Sequence, residues 1–97
     1  MVKVDDFEWD ERKAAENVRK HDISFEQAIP VFGDPLAIVR YDDREDYGED
    51  RFVHIGISYG EILRVIYTVR KENLIRIISA SRATASERKD YQSQTSC

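Results

Sequence analysis

The sequence predicts an α+β fold, with two helices near the N-terminus, an antiparallel sheet of about four strands and one C-terminal helix. Three observations carry this. Cap signals and three- to four-residue spacing mark helices before residue 34. Two-residue alternation takes over from Leu36, and a second capping signal appears at Thr84. Only short turns join the last three alternating runs, which makes them antiparallel neighbours.

Residues 3–8 read as a short edge strand. "WDERKAAENVRKH" reads as the first helix, with Asp10 as N-cap, Trp9 at the staple position and Ala14 as its partner. Ala14, Asn17, Val18 and His21 are spaced to share one face of it. "SFEQAIPVFGDP" reads as a second, short helix, with Ser24 and Gln27 as a capping box. Pro30 lacks a donor, so the helix kinks or ends there, with Gly33 as C′ residue and Pro35 as a stop. "LAIVRY" is the next strand, and "DDREDYGED" is a long acidic loop. In "RFVHIGIS", Val53, Ile55 and Ile57 take one face, and Phe52, His54, Gly56 and Ser58 the other. "YGE" turns into "ILRVIYTVR", where Leu63, Val65, Tyr67 and Val69 oppose Arg64, Thr68 and Arg70. "KEN" turns again into "LIRIISA". "TASERKDYQ" is the last helix, boxed by Thr84 and Glu87, and "SQTSC" is a polar, frayed tail. The helices are expected on one sheet face, leaving the other free.

Ninety-seven residues, 41% hydrophobic and 35% charged, make one domain, 1–97, with one core. No apolar run approaches the ~20 residues of a membrane span, and the acidic start is unlike a secretory signal. A cytoplasmic location is expected, in keeping with a lone cysteine, Cys97. One cysteine and two histidines, His21 and His54, do not make a structural zinc site, and no cofactor is expected. The net charge of −4 hides a division. Residues 1–50 hold seven Lys/Arg against fifteen Asp/Glu, and residues 51–97 hold eight against four. The basic half fits a polyanion, or else the acidic half neutralises it in the folded domain.

Arginine dominates that basic half. Arg64 and Arg70 point to one side of their strand, and Arg76 lies on the next. A like-charge row across strands costs up to about 1 kcal/mol per pair unless an anion sits between. Arg51 opens another strand, Arg82 ends the last one, and Arg88 shares a helical face with Tyr91. On this reading the six arginines ring one concave, phosphate-binding surface.

Four motifs add to this: W-D-x-x-K-A at Trp9–Ala14, K-H at Lys20–His21, S-F-x-x-A at Ser24–Ala28 and R-I-I-S-A-x-R-A at Arg76–Ala83. With them, residues 7–91 resemble the BrnT family, toxins of type II toxin–antitoxin systems. Asp22 stands where the family usually has glycine after Lys-His, and Ser81 stands where arginine or another residue is common. The resemblance implies a RelE-like fold, ribonuclease activity that arrests translation, and a cognate BrnA-like antitoxin in a tight hetero-oligomer. It further implies contact with operator DNA only through that antitoxin.

Metal-free RNA cleavage needs a base for the 2′-hydroxyl, cations for the phosphate oxygens and an acid for the 5′-oxygen. Arg70, Arg76, Arg82, Lys20, His21 and Tyr91 are the catalytic candidates. Arg51, Arg64, Arg88 and His54 are candidates for holding RNA. Each has a structural alternative. The arginines pair with the acidic half, His21 caps a helix, and Glu87 serves only its capping box. Tyr91 packs the last helix on the sheet, and Trp9 is core. The carboxylates of "DDREDYGED" suit a solvated loop better than a metal site. The rival reading is a non-catalytic module that binds a partner protein and acts only within an antitoxin–DNA autorepression complex.

Overall fold

The computed structural model describes residues 1–94. Cys97 and the end of the predicted tail lie outside the described residues. The elements are β1 (Val2–Val4), β2 (Phe7–Trp9), α1 (Glu11–His21), α2 (Phe25–Ala28), β3 (Ile38–Tyr41), β4 (Phe52–Ser58), β5 (Glu61–Arg70), β6 (Leu74–Arg82) and α3 (Ala85–Ser93). Two 3-10 turns, Ile29–Gly33 and Lys71–Asn73, follow α2 and β5.

The α+β class holds, but the expected sheet is corrected. It has six strands in the order β1-β2-β6-β5-β4-β3. The single edge strand expected at 3–8 is a hairpin of two three-residue strands, too short for alternation to reveal. β2 lies parallel to β6, so the sheet is not wholly antiparallel. The second N-terminal helix is only one α-turn. Pro30 cannot donate within it, and the chain tightens into the 3-10 turn Ile29–Gly33. Gly33 does not take the left-handed conformation expected of a C′ residue.

The N-caps form where expected, but the capping box expected at Ser24 and Gln27 is only half made. The Asp10 carboxylate accepts from the Arg12 and Lys13 amides, Ser24 accepts from Gln27, and Thr84 and Glu87 form a reciprocal box. Asp22, where the BrnT pattern has glycine, ends α1 at φ 57°, the left-handed conformation that glycine adopts freely.

Both sheet faces are covered, which corrects the expectation of one free face. On the first, Leu63, Val65, Ile77 and Ala80 pack with Trp9, Ile23, Phe25, Ala28 and Val31. A Cβ at Gly56 would meet Val31 Cγ1 at 3.0 Å, so this glycine lets the 3-10 turn lie close on β4. On the second face α3 adds Tyr91 to a smaller cluster of Val53, Ile55, Ile66 and Ala83. The helices therefore divide between the faces. The α1 stripe is also narrower than expected: Asn17 is buried, whereas Val18 and His21 are exposed.

Asn17 explains how α1 is held. β2 pairs with β6 only at Phe7–Ile75 and Glu8–Arg76. Further along β6, the Asn17 amide acts as a short substitute strand. Its Nδ2 donates to Ala80 O at 2.7 Å and Ile23 O at 2.9 Å, and its Oδ1 accepts from Ala80 N at 3.1 Å. Replacing Asn17 by leucine would leave these buried backbone groups unpaired. We expect Asn17→Leu to lose about 3 kcal/mol of stability, read from the urea midpoint.

Candidate active site

The strand registers decide which arginines meet. Glu8 of β2 sits opposite Arg76 of β6, and Arg76 opposite Thr68 of β5. Arg70 lies on the same face two residues beyond Thr68. One Glu8 oxygen consequently faces two guanidinium groups, with Arg76 Nε at 3.4 Å and Arg70 Nε at 3.5 Å. Glu8 is largely buried, Arg76 partly so, and Arg70 about half exposed. Arg76 also donates to Met1 Sδ at 3.4 Å. Two cations share one anion, which leaves one positive charge over.

A small hollow beside this trio is lined by Asp10, Lys13, Glu49, Arg76, Ile77 and Ile78. The N-terminal turn of α1 supplies its first two residues and the acidic loop supplies Glu49. Arg51, next to that loop, bonds Glu49 at 3.2 Å and lies 4.0 Å above the Tyr47 ring. The loop is itself anchored. Asp42 N bonds Arg51 O, and the buried Asp42 carboxylate takes Arg44 Nε at 2.8 Å and Nη2 at 2.9 Å. Those Arg44 bonds hold the Asp42 carboxyl down at about 2.

The other predicted residues lie elsewhere, so the single ring of arginines is corrected to two groups. Six residues of strand separate Arg76 from Arg82, roughly 20 Å. Arg82 bonds Glu61 at 3.3 Å and donates to His21 O at 3.0 Å. It lines a shallow depression with Arg88, whose Nη1 donates to Ala83 O. Arg64 is bound to Glu87 at 2.8 Å. Burial raises the Glu87 carboxyl, but the Thr84 amide and Arg64 together hold it below its usual value. Lys20 pairs with Glu16 along α1 at 2.8 Å. Lys20 and His21 border a cleft with Asn17 and Ser79 that adjoins the Arg76 hollow through Lys13 and Ile78.

Tyr91 is buried, and its hydroxyl donates to Asp34 Oδ2 at 2.5 Å. Burial, then the hydrogen bond to Asp34 and its charge, pushes the phenol up to about 12. Tyr91 thus pins α3 to the segment before β3, and it is placed neither to stack a base nor to release a proton near pH 7. His54 is half-buried under Phe32, ring centroids 4.7 Å apart, with Nδ1 3.4 Å from the Tyr67 hydroxyl. Burial lowers its pKa, opposed by the Asp34 charge. Neither residue reaches the Arg70–Arg76 trio.

Sequence reasoning missed Glu8. It sits in a three-residue strand, and only the parallel pairing brings it to Arg76. The available signal was slight, because Glu8 stands between Phe7 and Trp9 but shares its stretch with Asp5, Asp6 and Asp10. Among the described residues no group of three His, Cys, Asp or Glu is placed to hold a metal ion. Nor is any helix there long and apolar enough to cross a membrane.

Comparison with known proteins bears on this arrangement. A family model described as the ribonuclease toxin BrnT of type II toxin–antitoxin systems matches residues 9–87. The chain is also similar to the crystal structure of the ribonuclease toxin BrnT from Brucella abortus. That likeness has a TM-score of 0.62 and 28% identity, covering 78% of this chain and 92% of that one. No curated protein matches the chain.

The anchored loop carries a pH dependence. The folded Asp42 carboxyl titrates at about 2, below its ordinary 3.8. Its contribution to stability is complete above roughly pH 4 and is lost as pH falls toward 2. Urea titrations of Asp42→Asn should lack that part of the acid destabilisation seen in the parent chain.

Proposed function

The chain belongs to the BrnT family of ribonuclease toxins of type II toxin–antitoxin systems, and on that premise we propose that it is a metal-independent endoribonuclease whose active site is the Arg70–Glu8–Arg76 trio. The carrying observation is two guanidinium groups facing one carboxylate oxygen at 3.4 and 3.5 Å. A phosphodiester offers the same pairing to either arginine, with more oxygens to accept it. When RNA enters, its phosphate takes over the guanidinium groups and Glu8 is left free as a base.

In this reading Glu8 accepts the proton of the 2′-hydroxyl, whose oxygen attacks the adjacent phosphorus. Charge grows on the equatorial oxygens as it does so. Arg70 and Arg76 are already in place to meet it, which is where fixed donors contribute most. The bond to the 5′-oxygen breaks as that oxygen takes a proton from water, leaving a 2′,3′-cyclic phosphate and a 5′-hydroxyl end. Arg51 and Lys13 border the site and would hold flanking phosphates. Arg82, Arg88, Lys20 and His21 lie outside it, so any contact they make is to RNA further along.

Neutralisation by a BrnA-like antitoxin, with operator DNA reached only through it, is part of the same proposal. The non-catalytic reading keeps one observation in its favour. Arg51, Arg64, Arg70, Arg76 and Arg82 all have a carboxylate within 3.5 Å.

Cleavage of single-stranded RNA in EDTA separates the two readings. We expect activity there, products ending in 2′,3′-cyclic phosphate, and a loss of about 10²–10³-fold in Arg76→Ala. With two principal phosphate contacts, log affinity should fall with log salt at a slope near −1.4. Full activity in the Arg70→Ala, Arg76→Ala double variant would refute the assignment.

A further inference from the structure

β3 ends the sheet, so among the described residues one of its edges has no strand beside it. Its side chains divide by face. Ile38 packs in the α3 cluster and Arg40 bonds Asp90 of α3 at 2.9 Å. Val39 and Tyr41 point the other way and are 53% and 57% exposed. Tyr41, whose hydroxyl donates to Asp50 Oδ1 at 2.9 Å, ends an aromatic ladder that rises out of the core. Phe32 lies 4.9 Å from Tyr67, Tyr67 5.7 Å from Phe52, and Phe52 5.7 Å from Tyr41. Exposed edges usually carry a lysine, a proline or a bulge that discourages pairing. β3 reads Ile-Val-Arg-Tyr, and its one charge is tied back to α3.

The loop after β3 indicates the kind of partner. Residues 42–50 hold six Asp/Glu and one Arg, a net charge of −5 directly beside the open edge. RNA is repelled there. A cationic protein segment is attracted, and an extended one satisfies the free backbone groups of β3. We propose that β3 is the docking edge for the antitoxin, which adds a basic, extended segment beside Ile38–Tyr41 as a seventh strand. Alternate apolar side chains of that segment cover Val39 and Tyr41, and its Lys/Arg residues face the 42–50 loop. The inference rests on the toxin–antitoxin reading for the existence of the partner. The surface and the partner's chemistry come from β3 and its flanking charge.

The test co-expresses the full chain with the protein encoded by the adjoining reading frame and follows amide exchange by mass spectrometry. Exchange in Ile38–Tyr41 should slow in the complex. Val39→Lys and Tyr41→Lys, checked for unchanged melting, should each weaken the complex about tenfold or more by setting a charge like the segment's own beside it and removing apolar cover. Arg76→Ala should leave it intact. Protection confined to α1 and β6, with β3 exchanging as in the free chain, overturns the proposal. So does a complex indifferent to Val39→Lys but lost in Arg76→Ala. Both readouts measure binding, so failure to cleave RNA would count against the ribonuclease reading and not against this one.

Discussion

The outer edge of β6 is the constraint on which the rest depends. A nine-residue strand inside the sheet needs partners on both sides, because buried amides and carbonyls left unpaired are costly. β5 meets one side along its length, with a register shift at Ile78. On the other, β2 meets only the first part, and the Asn17 amide meets Ala80. Those two devices set where α1 lies, and they place Glu8 next to Arg76. The hollow between β6 and the first turn of α1 comes from the same arrangement.

The paired arginines do not argue against a phosphate site, because partly exposed ion pairs contribute about 0–1 kcal/mol each. Giving up Glu8 for a phosphate therefore costs little, and the newcomer carries its own charge. The pairing instead keeps the guanidinium groups ordered, so less rotamer freedom is lost when RNA arrives. The Arg64–Glu87 pair differs in kind. It is more buried, and Glu87 is also bound into the α3 cap, so it reads as part of the architecture.

The legible parts of the sequence were those with a local cause. Alternation through β4 and β5 gave their faces, the three N-caps announced themselves, and Pro30 cut the second helix short. What was missed depends on long-range pairing. β1 and β2 are too short to show a period, and nothing nearby says that β2 runs parallel to β6. For the same reason Glu8 was invisible as the partner of Arg76. Arg70 and Arg76 were correctly expected on one sheet face, whereas Arg82 falls on the other face, paired with Leu63. Tyr91 was misplaced because its hydroxyl partner, Asp34, is distant in sequence. Asn17 offered a hint, a polar amide spaced three residues from Ala14 on the helix's inner stripe.

The central claim is that Glu8 occupies the place of a substrate phosphate and returns as the base. Titrating an uncleavable oligonucleotide, with 2′-deoxy sugars, into the parent chain and into Glu8→Gln tests it most directly. The account predicts tighter binding in the variant, where no carboxylate competes for Arg70 and Arg76, together with a large fall in cleavage of the matching RNA. Unchanged affinity with cleavage intact would contradict it.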